Sequence, residues 1–160
     1  MFMQVLGTGL ILSSAMNIAA VRISKIPTDK HRMFLIGPYT VEARSESQPL
    51  ENGHIVAEIT PDQKNKLVRR VKVDNLFWHL PEEIQKSILA HEVGHMVREG
   101  GFDLYSLALG IRNTPCEMVA DQLSVELYGK VTTLKMLLAL MIATGPSTEM
   151  VKRISAVISS

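Results

Sequence analysis

Cysteine is nearly absent from this 160-residue chain: Cys116 stands alone, so no disulfide can form within it. The fold must therefore rest on its core and on any metal it holds, and a single thiol fits a reducing compartment. An excess of one charge is missing too, with 17 Lys and Arg against 16 Asp and Glu. No long basic run occurs. Arg69, Arg70 and Lys72 form a short cluster that reads as a solvated strand face, so nucleic acid is not expected as a partner. Charge is lacking altogether between Met1 and Val21. A secretory signal would carry a basic region ahead of its apolar stretch. A membrane span wants about 20 predominantly apolar residues, and Gln4, Gly7, Thr8, Gly9, Ser13, Ser14 and Asn17 interrupt this one. It is read as a buried strand or helix, with a membrane or targeting segment as the alternative. A cytoplasmic protein is expected, with membrane association left open. The apolar run at 136–143 is too short to cross a bilayer as a helix.

What the chain does have is bulk for a core. It is 46% apolar and 21% charged, as expected of one folded domain over 1–160 rather than a disordered polymer. Repeats and low-complexity segments are absent. The first half reads as short extended pieces at 21–26, 33–36 with 40–43, 54–59 and 67–73. Pro27, Gly37-Pro38, a polar loop at 45–53 and the segment 61–66 separate them. The second half reads as helices. Pro81 suits a first turn, with Glu82 and Glu83 at its positive end, and Gly100-Gly101 stops that helix after Val97. A short helical piece falls within 104–111. Another helix runs from Thr114 to about Tyr128 and stops at Gly129, and a further one spans about 131–144. The tail from Ser147 adds a turn or two. Strands followed by helices predict an α+β fold.

The chemistry-bearing segment is Ile88-Leu89-Ala90-His91-Glu92-Val93-Gly94-His95-Met96-Val97. Histidines four apart lie on one helix face at adjacent turns. Both imidazoles can then bind one tetrahedral cation, and Glu92 can reach water held by that cation. At this composition, chance gives about 0.01 such His-Glu-x-x-His matches per chain. The surroundings sharpen the pattern, because every other residue from Ile88 to Val97 is non-ionisable and almost all are apolar. A helix apolar all round is buried, and a buried carboxylate beside two buried histidines costs several kcal/mol unless something compensates. A divalent metal would compensate.

A catalytic zinc site has three protein ligands and one open position. Glu117 can supply the third ligand. Asp121, one helical turn on, can accept the free ring N–H of a ligating histidine, most naturally His91. A Glu-x-x-x-Asp match within the following 40 residues or so has a chance of about 0.09. The bland readings stand beside these. Two core histidines could simply be hydrogen-bonded. Thr114-Pro115-Cys116-Glu117 also fits a capping box, with Thr114 as N-cap and Glu117 as its partner. Asp121 could be a solvated helix charge. Cys116 is read as a small residue in a first turn, with a fourth-ligand role as the alternative. His31, His54 and His79 are read as surface or loop residues, and the nine methionines as core filler.

Several segments together resemble the core of gluzincin zinc metallopeptidases, in particular the HtpX-like and prenyl-protein endopeptidase group. They are Val71-Lys72-Val73-Asp74-Asn75-Leu76-Phe77, Leu80-Pro81-Glu82-Glu83, the His91–His95 motif and Cys116-Glu117-Met118-Val119-Ala120-Asp121. A similar site occurs in small soluble peptidases that cleave phage repressors. The resemblance covers about half the chain. It implies a small zincin-like α+β domain, a short sheet followed by the active-site helix and further helices. It also implies one zinc ion on His91, His95 and Glu117, and peptide-bond hydrolysis. A protein or peptide substrate would lie along an edge strand near Val71 and Val73. Membrane spans are well formed in many relatives and none is convincing here.

Glu92 is the expected general base, taking a proton from water and delivering it to the leaving amine. The tetrahedral intermediate wants a second electrophile, for which Tyr105, Arg112, Tyr128, His54 and His79 are the candidates. A catalytically silent zincin-fold binding or regulatory protein is the alternative class. A plain structural domain with a coincidental motif would hold no stoichiometric metal.

Overall fold

A computed structural model describes residues 30–45, 56–111 and 113–160. The uncharged stretch before Val21, the expected strand at 21–26, Pro27, His54, Arg112 and nearly all of the loop at 45–53 lie outside the described residues.

The order of elements is that of an α+β protein. Strands β1 (His31–Ile36), β2 (Tyr39–Ser45), β3 (Ala57–Ile59) and β4 (Val68–Val73) precede five helices. These are α1 (Asn75–His79), α2 (Glu82–Val97), α3 (Leu104–Ala108), α4 (Thr114–Thr144) and α5 (Thr148–Ser159). β1 and β2 form an antiparallel hairpin about Gly37-Pro38, and Ile36 pairs with Tyr39. β2 runs parallel to β4, and β3 runs antiparallel to it. The sheet order is β1-β2-β4-β3.

That order corrects one expectation. The strand at Val71 and Val73 is not an edge. The step from β2 to a parallel β4 needs a crossover connection, and β3 lies on that connection and pairs with the far side of β4. Among the described residues the edge on that side is therefore β3.

Period-two alternation sets the inner face. Phe34, Ile36, Val41, Ala43, Val71 and Val73 are buried towards the helices. On the outer face Glu42 takes Arg44 and Arg70 at 3.2 and 3.3 Å. Against the inner face lies α2. It packs on β3, β1 and β4 on one side and on α4 along the other. Its near-continuous apolar sequence follows from this double burial, and ten of its sixteen residues are buried.

Where α2 crosses α4 the backbones nearly touch. A methyl group on Gly94 would stand 2.8 Å from both Cα and O of Ala120. Any side chain there must push the helices apart. The approach places Glu117, one turn before that crossing, and Asp121, the residue after it, opposite His91.

α4 is interrupted where the sequence predicts a stop, at Gly129 (φ 85°, ψ 163°). A buried hydroxyl chain ties its second half back to α2. Ser87 and Ser124 are 2.6 Å apart, Ser124 and Thr133 are 2.9 Å apart, and Thr133 donates to the Gly129 carbonyl at 3.0 Å. Among the described residues α4 is also the one helix long and apolar enough to cross a bilayer, with mean hydropathy 1.3 over its best window.

Two helices differ from expectation. α1 was not foreseen; Asp74 caps it by accepting the Leu76 and Phe77 amides at 2.9 and 3.4 Å. α5 has twelve residues rather than a turn or two. Ser147 caps it through the Met150 amide at 3.1 Å, and Met150, Arg153 and Val157 form its buried stripe.

The Gly94→Ala protein is expected to lose about 1–3 kcal/mol of stability, the usual cost of overpacking a tight contact. Urea unfolding measures it, and an unchanged midpoint would show that the helices separate freely.

Candidate metal centre

The α2/α4 crossing brings together the three residues that the sequence proposed as ligands. One ligand atom each from His91, His95 and Glu117 lies within 4.8 Å of the other two, an arrangement that could hold a metal ion. His91 Nε2 is 3.1 Å from His95 Nε2 and 3.2 Å from Glu117 Oε2. His95 Nε2 is 3.7 Å from Glu117 Oε1. Donors bound at about 2.0–2.2 Å to a tetrahedral ion stand about 3.3–3.6 Å apart. The observed separations straddle that range, so the donor set fits one small cation.

The ring tautomers fit as well. His91 Nδ1 donates to Asp121 Oδ1 at 2.8 Å. His95 Nδ1 donates to the Gly101 carbonyl at 2.7 Å. Gly101 is forced close for this bond, since a methyl group there would lie 2.6 Å from the Gly94 oxygen. With both Nδ1 atoms donating, both Nε2 lone pairs point into the same space. Facing lone pairs 3.1 Å apart require a proton or a cation between them.

In the metal-free protein a proton takes that role. Burial opposes a charged His91, but the Asp121 carboxylate and then Glu117 outweigh burial and lift its pKa to about 10. Burial and the neighbouring His91 charge push His95 below its ordinary value. Burial alone would raise Glu117, yet His91 and Arg153 hold its carboxyl well below the usual carboxylate range. Asp121 is likewise held low against burial, by Arg153 and His91.

Arg153 is the site residue that sequence reasoning missed. Its side chain is 3% exposed. Nε and Nη2 each donate to Asp121 at 2.8 Å in a two-pronged pair, and Nη1 stands 3.2 Å from Glu117 Oε2. It thus fixes both α4 carboxylates from α5. A signal was present: a lone arginine sits in the apolar stripe Met150, Ile154, Val157 of the tail, and a charge in a buried stripe implies a buried partner.

The capping reading of Glu117 is not observed. Asn113, not Thr114, is the N-cap of α4, and its side chain accepts the Cys116 amide at 3.2 Å. The Glu117 carboxylate points at the histidines and Arg153 instead. Asp121 is buried rather than solvated. Cys116 is buried and free, and burial, then Asp103 and Glu117, push its thiol up. It is outside the three-ligand group.

Glu92 is buried, and its Oε2 accepts the backbone N–H of Ile59 at 3.1 Å. Two cavities meet at this residue. A smaller one of about 60 Å³ is walled by Val56, Ala57, Ile88, Met136 and Arg153. A wider one of about 120 Å³ is bounded by Ile59, Met96, Phe102, Asp103 and Leu107. Glu92, His95 and Glu117 line both. Of the five electrophile candidates, His54 and Arg112 are outside the described residues. Tyr105, Tyr128 and His79 line neither cavity.

Comparison with known proteins adds no family: no family model matches this chain, and no curated protein or solved structure matches it either.

Two outcomes follow from the electrostatics. A metal must displace the His91 proton, so apparent zinc affinity should rise about tenfold per pH unit from pH 6.5 to 8.5, since the raised pKa keeps His91 protonated throughout that range. Chelator competition reads this slope; affinity that levels off above pH 7 would mean that His91 titrates normally. Separately, Arg153→Leu leaves Asp121 and Glu117 without their cation. It should destabilise the metal-free protein by about 3–5 kcal/mol in urea unfolding, the usual result of breaking a buried ion pair.

Proposed function

We propose that this protein is a zinc-dependent endopeptidase of the gluzincin type, with a zincin-like fold. His91, His95 and Glu117 hold the ion, Asp121 orients His91, and Glu92 is the general base. The observation that carries this reading is the convergence of two histidine nitrogens and the Glu117 carboxylate, 3.1–3.7 Å apart, beside a buried carboxylate that borders two cavities. Nε2 and carboxylate donors in a His₂Glu set suit zinc. A bound zinc ion supplies Lewis acidity, polarising a carbonyl and acidifying water.

The chain's own residues do the rest. Glu92, next to the first ligand, is placed to take a proton from water during attack on the peptide carbonyl and return it to the leaving nitrogen. Arg153 holds Glu117 and Asp121 in place from behind. β3, the edge strand among the described residues, runs along both cavities, through Ala57 at the smaller one and Ile59 at the wider one. An extended peptide added to that edge would lie across Glu92.

A second reading, a metal-holding protein without turnover, has one observation in its favour. None of the three described electrophile candidates lines a cavity, and arginine 153 is already engaged by carboxylates.

One set of proteins separates the readings. Wild type purified without added metal should carry near-stoichiometric zinc by elemental analysis, and Glu117→Ala should lose most of it. Glu92→Gln should keep the zinc and lose about 10²- to 10⁴-fold in cleavage of denatured casein, the usual contribution of a general base. A zinc-free wild type would remove the metalloprotein reading. Zinc with no cleavage by wild type would favour the silent one.

A further inference from the structure

Among the described residues β3 is an edge of the sheet, and its pairing with β4 fixes which of its backbone groups face outward. The Asp74 amide donates to the Val56 carbonyl at 3.0 Å, and Ala57 lies opposite Val73 and Ile59 opposite Val71. In an antiparallel ladder, bonded and non-bonded pairs alternate. Val56 and Glu58 therefore turn their main-chain groups towards β4. Ala57 and Ile59 turn theirs away from it, into the cleft. These outward groups are where an extended chain would add to the sheet. One of them is already taken: the Ile59 N–H donates to Glu92 Oε2.

We infer that the Ile59 amide is shared between the general base and the incoming substrate strand, so that strand docking releases the Glu92 carboxylate. The inference rests on the peptidase reading for its meaning, but the shared amide does not itself require turnover. A substrate carbonyl that pairs with Ile59 must displace Glu92 Oε2, since one N–H makes one good hydrogen bond. The displaced carboxylate is then without a partner in a buried position. Water beside the ligands is the partner within its reach, because Glu92 shares both cavity walls with His95 and Glu117. Without substrate the base is held by the sheet edge. With substrate in register it turns to the reacting water. A peptide that enters the cleft without pairing to β3 would leave the base engaged, so extended chains are favoured over compact ones as substrates.

Two variants isolate the competition. Glu92→Gln keeps a side-chain oxygen that can accept from Ile59, so a docking strand must still displace it. Glu92→Ala leaves the amide free. Both lack the base, so neither consumes much of the probe during a titration. The probe is an end-blocked decapeptide of alternating valine and lysine, because main-chain pairing supplies most of the affinity in strand addition. Calorimetry on the two full-length, zinc-treated proteins should show binding about two- to tenfold tighter to Glu92→Ala, the worth of one hydrogen bond. Amide-proton NMR should show the Ile59 N–H protected from exchange in Glu92→Gln with or without peptide. In Glu92→Ala it should be protected only when peptide is present. Equal affinities, or an Ile59 amide indifferent to peptide, overturn the inference, as does a peptide that binds neither protein. If the variants differ as expected while wild type cleaves nothing, the shared amide stands and the peptidase reading falls. If no zinc is retained, the same comparison on the metal-free proteins still decides the matter, because the Glu92–Ile59 bond involves no metal.

Discussion

Three carboxylates gathered at one helix crossing, two of them buried and the third half-buried, set the terms for the rest of this structure. Glu92 and Asp121 are buried at the contact of α2 with α4, and Glu117 is half-buried beside them. A buried carboxylate costs several kcal/mol unless donors or cations surround it. Each of the three has its own solution. Glu92 has the backbone of β3, Asp121 has a two-pronged arginine and a histidine ring, and Glu117 has both histidines and the same arginine.

Those partners come from separate parts of the chain. The histidines come from α2, the arginine from α5, the amide from β3 and the carbonyl that fixes His95 from the turn after α2. The close approach at Gly94 and Ala120 is what lets one cluster collect them all. A larger residue at either position would move Glu117 and Asp121 away from His91 together, because both stand on the same helix. The hydroxyl chain from Ser87 through Ser124 to Thr133 holds the second half of α4 against α2 past the break at Gly129. That half supplies Met136 to the smaller cavity, so the break and its repair shape the space beside the ligands.

Most of this could be read from the sequence where local pattern and tertiary need coincide. The His-Glu-x-x-His spacing, the all-round apolar helix that carries it, and Glu117 with Asp121 a turn apart are each local signatures of burial and chemistry. The hairpin at Gly37-Pro38 and the stop at Gly129 are equally local. What escaped depends on partners distant in sequence. Strand order is one case: nothing in residues 68–73 says that β3 will cover their far side. Arg153 is another, since its partners lie some thirty residues earlier and the length of α5 is set by packing against α4. The cap of α4 is Asn113 rather than Thr114, and the Glu117 side chain, which a capping box needs at the helix start, lies with the histidines and Arg153 instead.

Formal charge explains why an arginine belongs so near a cation site. Arg153 brings one positive charge to the carboxylates of Glu117 and Asp121, and Glu149, one turn back on its own helix and 3.9 Å from Nη1, brings a further negative one. A protonated His91 supplies the second positive charge, so carboxylates still outnumber cations in the metal-free cluster. A dication that replaces the His91 proton adds one positive charge and moves the sum towards neutrality, the cheapest state for a buried group of charges. Without Arg153 the same exchange would start from one more uncompensated negative charge. A monovalent ion in place of the proton would leave the sum as it was, so the preference for a dication is written into α5 as well as into the three ligands.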